Sequence, residues 1–426
     1  MSAPPQAPSP TPPFIAGEAP AAWNALPFAE RVIRWQRSHG RSGLPWQETR
    51  DPYRVWLSEI MLQQTQVTTV LGYYARFLER FPTVTALASA PSEEVLALWS
   101  GLGYYARARN LHRCAQVVTA EHGGRFPRTA AELAALPGIG PSTAAAIAAF
   151  CFGEREAILD GNVKRVLTRV FAYEGDLSSA ASERELWAIA RGLLPETSPG
   201  PELDAAMAGY TQGLMDLGAT VCTVRKPTCD ACPVATMCRG FARGTPERFP
   251  VKTRRLKRGR RASVLLWLQH RDRIWLVRRG DAGVWAQLWS LPEFDTATRL
   301  EHAVKAWPGT LEWLPPFKHV LTHFDWMLQP LRLQWHGGIV PEQQGEIDGL
   351  RAVNGPAAVP ESGAFEEPGE ADVHGDREGD DEAGGMLPAG EARAANGRAE
   401  GRWVSREELD TVGIPAPIRK LIEASL

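Results

Sequence analysis

Thr129-Ala130-Ala131-Glu132-Leu133-Ala134-Ala135-Leu136-Pro137-Gly138-Ile139-Gly140-Pro141-Ser142-Thr143-Ala144 is the stretch from which the fold reads outward. Thr129–Leu136, the turn Pro137–Pro141 and Ser142–Phe152 spell helix, tight turn, helix. Gly138 and Gly140 leave the N–H groups at the start of the second helix free of side-chain obstruction. Those donors, with the positive end of the helix dipole, suit a phosphate. A plain turn between two helices is the competing reading. The pattern continues some twenty residues on with Ile158-Leu159-Asp160-Gly161-Asn162-Val163-Lys164-Arg165. Asp160 precedes a helical run of Val163, Val166, Leu167 and Val170, which is an N-cap position. Capping alone accounts for it. A carboxylate fixed there, near a phosphate-binding hairpin, can also face a cationic intermediate. Lys164 and Arg165 read as solvated or phosphate-facing.

From Trp23 to about Gly240 apolar residues recur at spacings of three and four, broken by Gly and Pro. Pro52–Val70 reads as one long helix, and Ser92–Ser100 and Ala106–His122 as two more. In the first of these, Glu59 shares a face with Val55 and Leu62. A carboxyl so placed is partly desolvated, which favours its neutral, proton-donating form; a Glu reaching the rim or pairing with Arg54 is the bland alternative. Gln63-Gln64-Thr65-Gln66 is polar for a core helix and could offer donors and acceptors to base edges. Gly101-Leu102-Gly103-Tyr104-Tyr105-Ala106-Arg107 joins a flexible turn to aromatics, suited either to wedging into a base stack or to core packing.

Cys222, Cys229, Cys232 and Cys238 are spaced C-x6-C-x2-C-x5-C. Four thiolates this close converge on one centre if the intervening loops wrap around it. Zinc and an iron–sulfur cluster both accept all-thiolate ligation. Zinc knuckles come as two short pairs, whereas here one short pair sits between two wider arms, which favours a cluster. Cys114 and Cys151 lie in apolar helices and read as small core residues.

The chain of 426 residues predicts two or three domains. No apolar run approaches the ~18 residues of a membrane span, which excludes a membrane protein. The first twenty residues hold seven prolines and no secretory pattern. With four of six cysteines in one cluster, this points to metal in a reducing, cytoplasmic compartment. The net charge of −2 conceals an asymmetry: residues 341–402 carry 15 Asp/Glu against 5 Arg, leaving +8 elsewhere. The folded part is therefore basic and permits a polyanionic partner. These features divide the chain into a disordered Pro-rich tail (1–22), a helical domain (23–240), a basic linker (241–261) and a second domain (262–426). In the last, Ala262–Gln269 and Arg273–Arg278 form a predicted hairpin, residues 341–401 a disordered acidic insertion and Ser405–Ser425 a terminal helix. The basic run Lys252–Arg261 reads as a linker adding phosphate attraction, with a nuclear-localisation patch as the weaker reading.

Trp56–Val67, Gly101–Leu111, Leu159–Arg165 and the cysteine spacing together resemble the adenine DNA glycosylases, the MutY family of helix–hairpin–helix enzymes. The likeness runs closely over 27–240 and more loosely over 262–340. It implies a multidomain fold: an all-α helix–hairpin–helix glycosylase domain whose loop 222–238 holds a 4Fe–4S cluster, plus an α+β Nudix-like C-terminal domain for lesion recognition. It implies double-stranded DNA as partner, with a flipped adenine opposite 8-oxoguanine or guanine, and a monomeric enzyme. Adenine is a poor anionic leaving group, so Glu59 is the expected acid and ionised Asp160 the group facing the oxocarbenium ion. Asn162 is expected to hold the sugar or water. Tyr104 and Gln64, with Leu62 beside them, are expected to fill the gap left by the flipped base. Relatives that also cleave the strand carry Lys where this chain has Ser142, so the resemblance implies a monofunctional glycosylase. The C-terminal domain lacks the acidic metal motif of nucleotide hydrolases. Where the family reads 8-oxoguanine with Phe-Ser-His, this chain has Leu321-Thr322-His323, which keeps the hydroxyl of Thr322 and the imidazole of His323; strand packing is the alternative role.

Two other readings compete. One is a pyrimidine-lesion glycosylase with lyase activity, disfavoured by Glu59 and Ser142. The other is an inactive DNA-binding iron–sulfur protein, in which Glu59 or Asp160 is structural only.

Overall fold

The computed structural model describes residues 26–196, 198–253, 258–337 and 400–425. Twelve α-helices precede the first strand among these residues: α1 (Phe28–His39), α2 (Pro52–Leu62), α3 (Val67–Arg80), α4 (Val84–Ser89), α5 (Ser92–Trp99), α6 (Ala106–Glu121), α7 (Ala130–Ala134), α8 (Pro141–Phe152), α9 (Gly161–Phe171), α10 (Ala180–Gly192), α11 (Pro201–Asp216) and α12 (Arg239–Ala242). Then come β1 (Gly259–His270), β2 (Arg273–Arg278), β3 (Trp289–Ser290), β4 (Glu293–Phe294), α13 (Ala297–Val304), β5 (Gly309–Trp313), β6 (Phe317–Val320), β7 (Phe324–Trp335), β8 (Gly401–Ser405) and α14 (Ala416–Ser425). The chain divides into two compact units, Met1–Ser89 with Asn110–Arg255, and Ala90–Arg109 with Leu256–Leu426. None of the described helices is long and apolar enough to cross a membrane.

The first unit is helical. Its core gathers Trp35, Ile158, Leu159, Val163, Leu167, Met207, Tyr210 and Leu214. Helix α8 is apolar on every side and correspondingly buried from Ala144 to Ala149. The predicted helix over Pro52–Val70 is two helices: α2 stops at Leu62, and Gln64 turns to φ +56° before α3 begins. Gln63–Gln66 carries no apolar stripe to continue the packing, so tertiary burial does not hold those residues helical.

The second unit is built on one eight-stranded mixed sheet. The predicted hairpin is present as the antiparallel pair β1 and β2. Strand β1 also runs parallel to β7 from Gly259↔Phe324 to Gln269↔Gln334, so it is central and buried on both faces from Val264 to Leu268. Strand β7 further pairs with β5 and β6, and β2 with β3 and β8. Leu300 and Val304 of α13 pack on Leu266, Leu268, Leu331 and Leu333.

Several boundaries differ from the expectation. Residues 241–253 are not a free linker: Phe249 is buried and its carbonyl accepts from Arg169 Nε at 3.1 Å, and Leu177 N donates to Val251 O at 3.0 Å. Residues 90–109 group with the second unit although their composition matches the helical one. The terminal helix begins only at Ala416, because Gly401–Ser405 pairs with β2 as β8 and Gly413 and Pro415 break the periodicity. The tail 1–22 and residues 341–399 of the acidic insertion lie outside the described residues, as do 254–257 of the basic run.

Candidate active site

Helix α7 starts from a capping box in which Thr129 Oγ1 accepts from Glu132 N and Glu132 reaches back to Thr129 N. The turn after it needs glycine at one of its two positions. Gly138 sits at φ +75°, and a Cβ there would stand 2.6 Å from Asn110 Cβ. Gly140, at φ −78°, is the N-cap of α8, with Pro141 as the first helical residue.

Ser142, in the first turn of α8, is buried, and Leu159 N donates to its Oγ at 3.0 Å. The hydroxyl therefore pins the extended chain that delivers Asp160. Asp160 caps α9: Oδ1 accepts from Val163 N at 2.8 Å, and Oδ2 from Asn162 Nδ2 at 3.4 Å. Two N–H donors and the helix N-terminus suit a negative charge at this point. Arg165 does not face solvent or phosphate as expected. It is buried, with Nη2 donating to Asn162 Oδ1 at 2.7 Å and Gly218 O at 2.8 Å, and Nε to Cys222 O at 2.8 Å. Lys164 pairs with Glu183 at 2.9 Å.

Helix α2 carries Glu59 into this neighbourhood. Asp51 accepts from Tyr53 N and Pro52 leads the helix, which fixes its start. Burial, and then the nearby Asp160 charge, push the Glu59 carboxyl up to about 8, against the opposing pull of Arg41. Two carboxyls about a hundred positions apart in sequence are thus electrostatic neighbours. Arg41 and Asp216 are site residues the sequence reading missed. Arg41 Nε donates to Asp216 Oδ1 at 2.7 Å and its backbone N to Oδ2 at 2.9 Å, while Gln212 Nε2 donates to Oδ1 at 2.8 Å. Burial holds the Asp216 carboxyl above its usual range, and Arg41 opposes this. The available signal was an Asp ending the otherwise apolar face of α11.

Leu62, half-buried, ends α2, and Gln64 is exposed just beyond it. Both belong to the first unit, with Glu59, Asp160, Asn162, Ser142, Gly138 and Gly140. Tyr104, Thr322 and His323 belong to the second. Tyr104 is 51 % exposed at φ +47°, so it is not a core tyrosine. Thr322 and His323 form the tip between β6 and β7, closed by Leu321 N donating to Phe324 O at 3.0 Å. His323 is exposed and Thr322 half-buried.

Cys222, Cys229, Cys232 and Cys238 line one pocket with Val166, Val170, Leu217, Val234 and Phe241. Burial and the neighbouring thiols raise Cys229, Cys232 and Cys238 above the ordinary thiol range. Arg169 Nη1 points at Cys222 Sγ at 3.4 Å, and Phe241 N donates to Cys238 Sγ at 3.4 Å. Among the described residues no group of three or more His, Cys, Asp or Glu side chains is arranged to hold a single metal ion. Four sulfurs wall this pocket, and a guanidinium and an N–H are aimed at two of them, a donor set that suits an anionic thiolate-held group. Cys114 and Cys151 are buried elsewhere, as expected.

A hairpin-linked helix pair, a capped carboxylate and a half-buried acid of raised proton affinity come together in the helical unit. Residues 57–191 match the family model of the HhH-GPD superfamily base excision DNA repair proteins, and residues 263–362 that of the NUDIX domain. The adenine DNA glycosylase of Buchnera aphidicola (subspecies Baizongia pistaciae) is 34 % identical over 316 residues, 72 % of this chain and 86 % of that protein. The chain belongs to the adenine DNA glycosylase family. The human adenine DNA glycosylase is 44 % identical over 231 residues, 52 % of this chain and 41 % of that protein. Among solved structures, a thermostable thymine-DNA glycosylase aligns at 30 % identity with a TM-score of 0.45, over 51 % of this chain and 95 % of that one.

Proposed function

We propose that this chain is a monofunctional adenine DNA glycosylase of base excision repair, hydrolysing the N-glycosidic bond of adenine mispaired with 8-oxoguanine or guanine. The observation that carries this is the pairing of an acid that keeps its proton to about pH 8, Glu59, with a helix-capping carboxylate, Asp160. Family membership supports it.

At neutral pH Glu59 holds a proton and gives it to a ring nitrogen of the extruded adenine. The C1′–N9 bond then breaks with its electron pair leaving on the base, and the sugar becomes an oxocarbenium ion. Asp160, held by Val163 N–H and Asn162, stabilises that cation until water adds at C1′ and releases a proton. Asn162 is itself held by Arg165, so it orients Asp160 and the water or sugar beside it. Ser142 places no amine in the site, so no Schiff base forms there. Borohydride trapping of a stoichiometric covalent DNA adduct would contradict this.

The four cysteines fit a 4Fe–4S cluster, which when bound supplies a four-point cross-link for the loop 222–238. The Gly138–Gly140 turn and the start of α8 grip a DNA phosphate. Gln64, Leu62 and Tyr104 occupy the stack vacated by the flipped base, and Thr322 and His323 read the opposing 8-oxoguanine. Residues 1–22, 23–240, 241–261 and 262–426 act as tail, catalytic domain, linker and lesion reader. The boundaries shift where 90–109 joins the reader and 241–253 the catalytic domain. The enzyme works as a cytoplasmic monomer on double-stranded DNA.

Single-turnover release of adenine from an 8-oxoguanine·A duplex tests the reading. Release by the natural chain and none by Glu59→Gln supports it. Release at an equal rate by both, or of a damaged pyrimidine instead, rejects it.

A further inference from the structure

The Tyr104 loop presents a physical problem. Its ring is 51 % exposed, its backbone is left-handed at φ +47°, and Gly101 and Gly103 precede it at φ +104° and +73°. A large side chain held in a sparsely populated conformation on a glycine-rich loop costs entropy and strain, and beside the Arg107 guanidinium, 5.6 Å from the ring centroid, half of the ring remains exposed. Something else fixes the loop.

Inside the loop, Trp99 Nε1 donates to Gly103 O at 3.0 Å, and Arg107 Nη2 donates to Leu102 O and Gly103 O at 3.2 and 3.3 Å. At its edges the bonds go to the C-terminal part of the same unit. Ile414 O accepts from Ser100 Oγ at 2.7 Å and from Tyr105 Oη at 3.3 Å, so one carbonyl clasps the residues that bracket 101–104. The Tyr105 hydroxyl also accepts from Gly101 N at 3.4 Å. Just beyond, Arg109 Nη1 donates to Ala286 O at 3.1 Å. Neither carbonyl sits on loose backbone: Ala286 and Ile414 are both buried, and Ala286 N donates to Gly283 O at 3.3 Å. Trp289 N, on β3, donates to Gly413 O at 2.9 Å, and a Cβ at Gly413 would stand 3.1 Å from Leu96 Cβ on α5. Glu93 at the start of α5 accepts from Trp289 Nε1 at 2.8 Å and from Arg402 at 2.7 Å. The loop thus hangs from the sheet that also carries Thr322 and His323.

We propose that Ser100, Tyr105 and Arg109 are positioning residues through which the C-terminal unit holds the Tyr104 ring in register for insertion into the DNA base stack. This rests on the proposed action on a mispaired base in duplex DNA. Ser100 and Tyr105 set the loop from its two ends, and Arg109 fixes the turn of helix that follows it. The unit that reads the lesion thereby also aims the wedge.

The test uses the full chain and a duplex with 8-oxoguanine opposite a 2′-fluorinated deoxyadenosine, whose glycosidic bond resists cleavage. A 2-aminopurine beside the 8-oxoguanine brightens when its stack is opened. Binding should brighten it with the natural chain and not with Tyr104→Ala. The double variant Ser100→Ala/Tyr105→Phe removes two hydroxyls and should cut the rise to roughly a tenth or less, as expected for three lost hydrogen bonds. Duplex affinity should change far less. Should that variant melt early, Arg109→Met reads the second anchor alone, and Arg109→Lys, which keeps a donor for Ala286 O, should restore the rise. A full rise in both the double variant and Arg109→Met, with Tyr104→Ala silent, overturns the inference. A full rise with Tyr104→Ala overturns it too, by removing the wedge, while adenine release from a cleavable duplex separately shows whether the glycosylase reading stands.

Discussion

Arg165 Nη2 lies 2.7 Å from Asn162 Oδ1, and the same guanidinium holds the carbonyls of Gly218 and Cys222. One buried side chain therefore joins the cysteine loop to the residue that donates to Asp160. Gly218 lets the two segments come this close, since a Cβ there would be 2.6 Å from Asn162 Cβ. Arg165→Lys keeps the charge but not the fork, leaving acceptors unmet at about 1–3 kcal/mol each. We expect a lower melting temperature and adenine excision slowed by about tenfold or more. Single-turnover rates beside thermal melts check both.

As the proposed acid, the Glu59 carboxyl should set a pH limit. With its proton held to about pH 8, excision should be level through neutrality and fall about tenfold per pH unit above that value. Arg41 pulls the proton affinity down, so Arg41→Gln should move the alkaline limb upward. A pH–rate profile of the chemical step measures both; a limb near the ordinary carboxylate range would contradict the assignment.

Stability has the matching sign. A folded-state pKa above the unfolded one favours the folded chain at low pH, and that advantage is lost as pH rises from the ordinary carboxylate value of 4.5 through about 8. Glu59→Gln cannot ionise. Its melting temperature should therefore gain on the natural chain progressively across that interval and show no such gain below it.

Asp160→Asn separates the cap from the charge. Asn caps helices about as well as Asp, so the fold should survive. The carboxylate proposed to face the sugar cation is lost, and excision should slow by about 10²–10³-fold. Far-UV circular dichroism with single-turnover kinetics distinguishes this from a chain that has merely unfolded.

Thr322 tests the proposed lesion reader. Thr322→Ala removes the hydroxyl at the β6–β7 tip and should lower the rate ratio of 8-oxoguanine·A over G·A while sparing G·A. An unchanged ratio would return Thr322 to simple strand packing.

What could be read before folding was whatever short-range chemistry encodes. The capping positions of Thr129 and Asp160, the hairpin between α7 and α8, the β1–β2 pairing and the cysteine spacing depend on neighbours within a few residues. Glu59 could be singled out by its apolar helix, but what raises its proton affinity is burial in the closed core and then Asp160, about a hundred residues away.

The chain alone thus determined which groups are available and where helices start and turn, because capping and periodicity are local. The tertiary structure decided the rest: that Arg165 points inward, that Arg41 meets Asp216 across 175 positions, that Gln64 leaves its helix, and that 90–109 joins the C-terminal unit. Each of these depends on burial and on a partner distant in sequence. Desolvation and long-range pairing exist only once the cores have closed, and no local pattern records them.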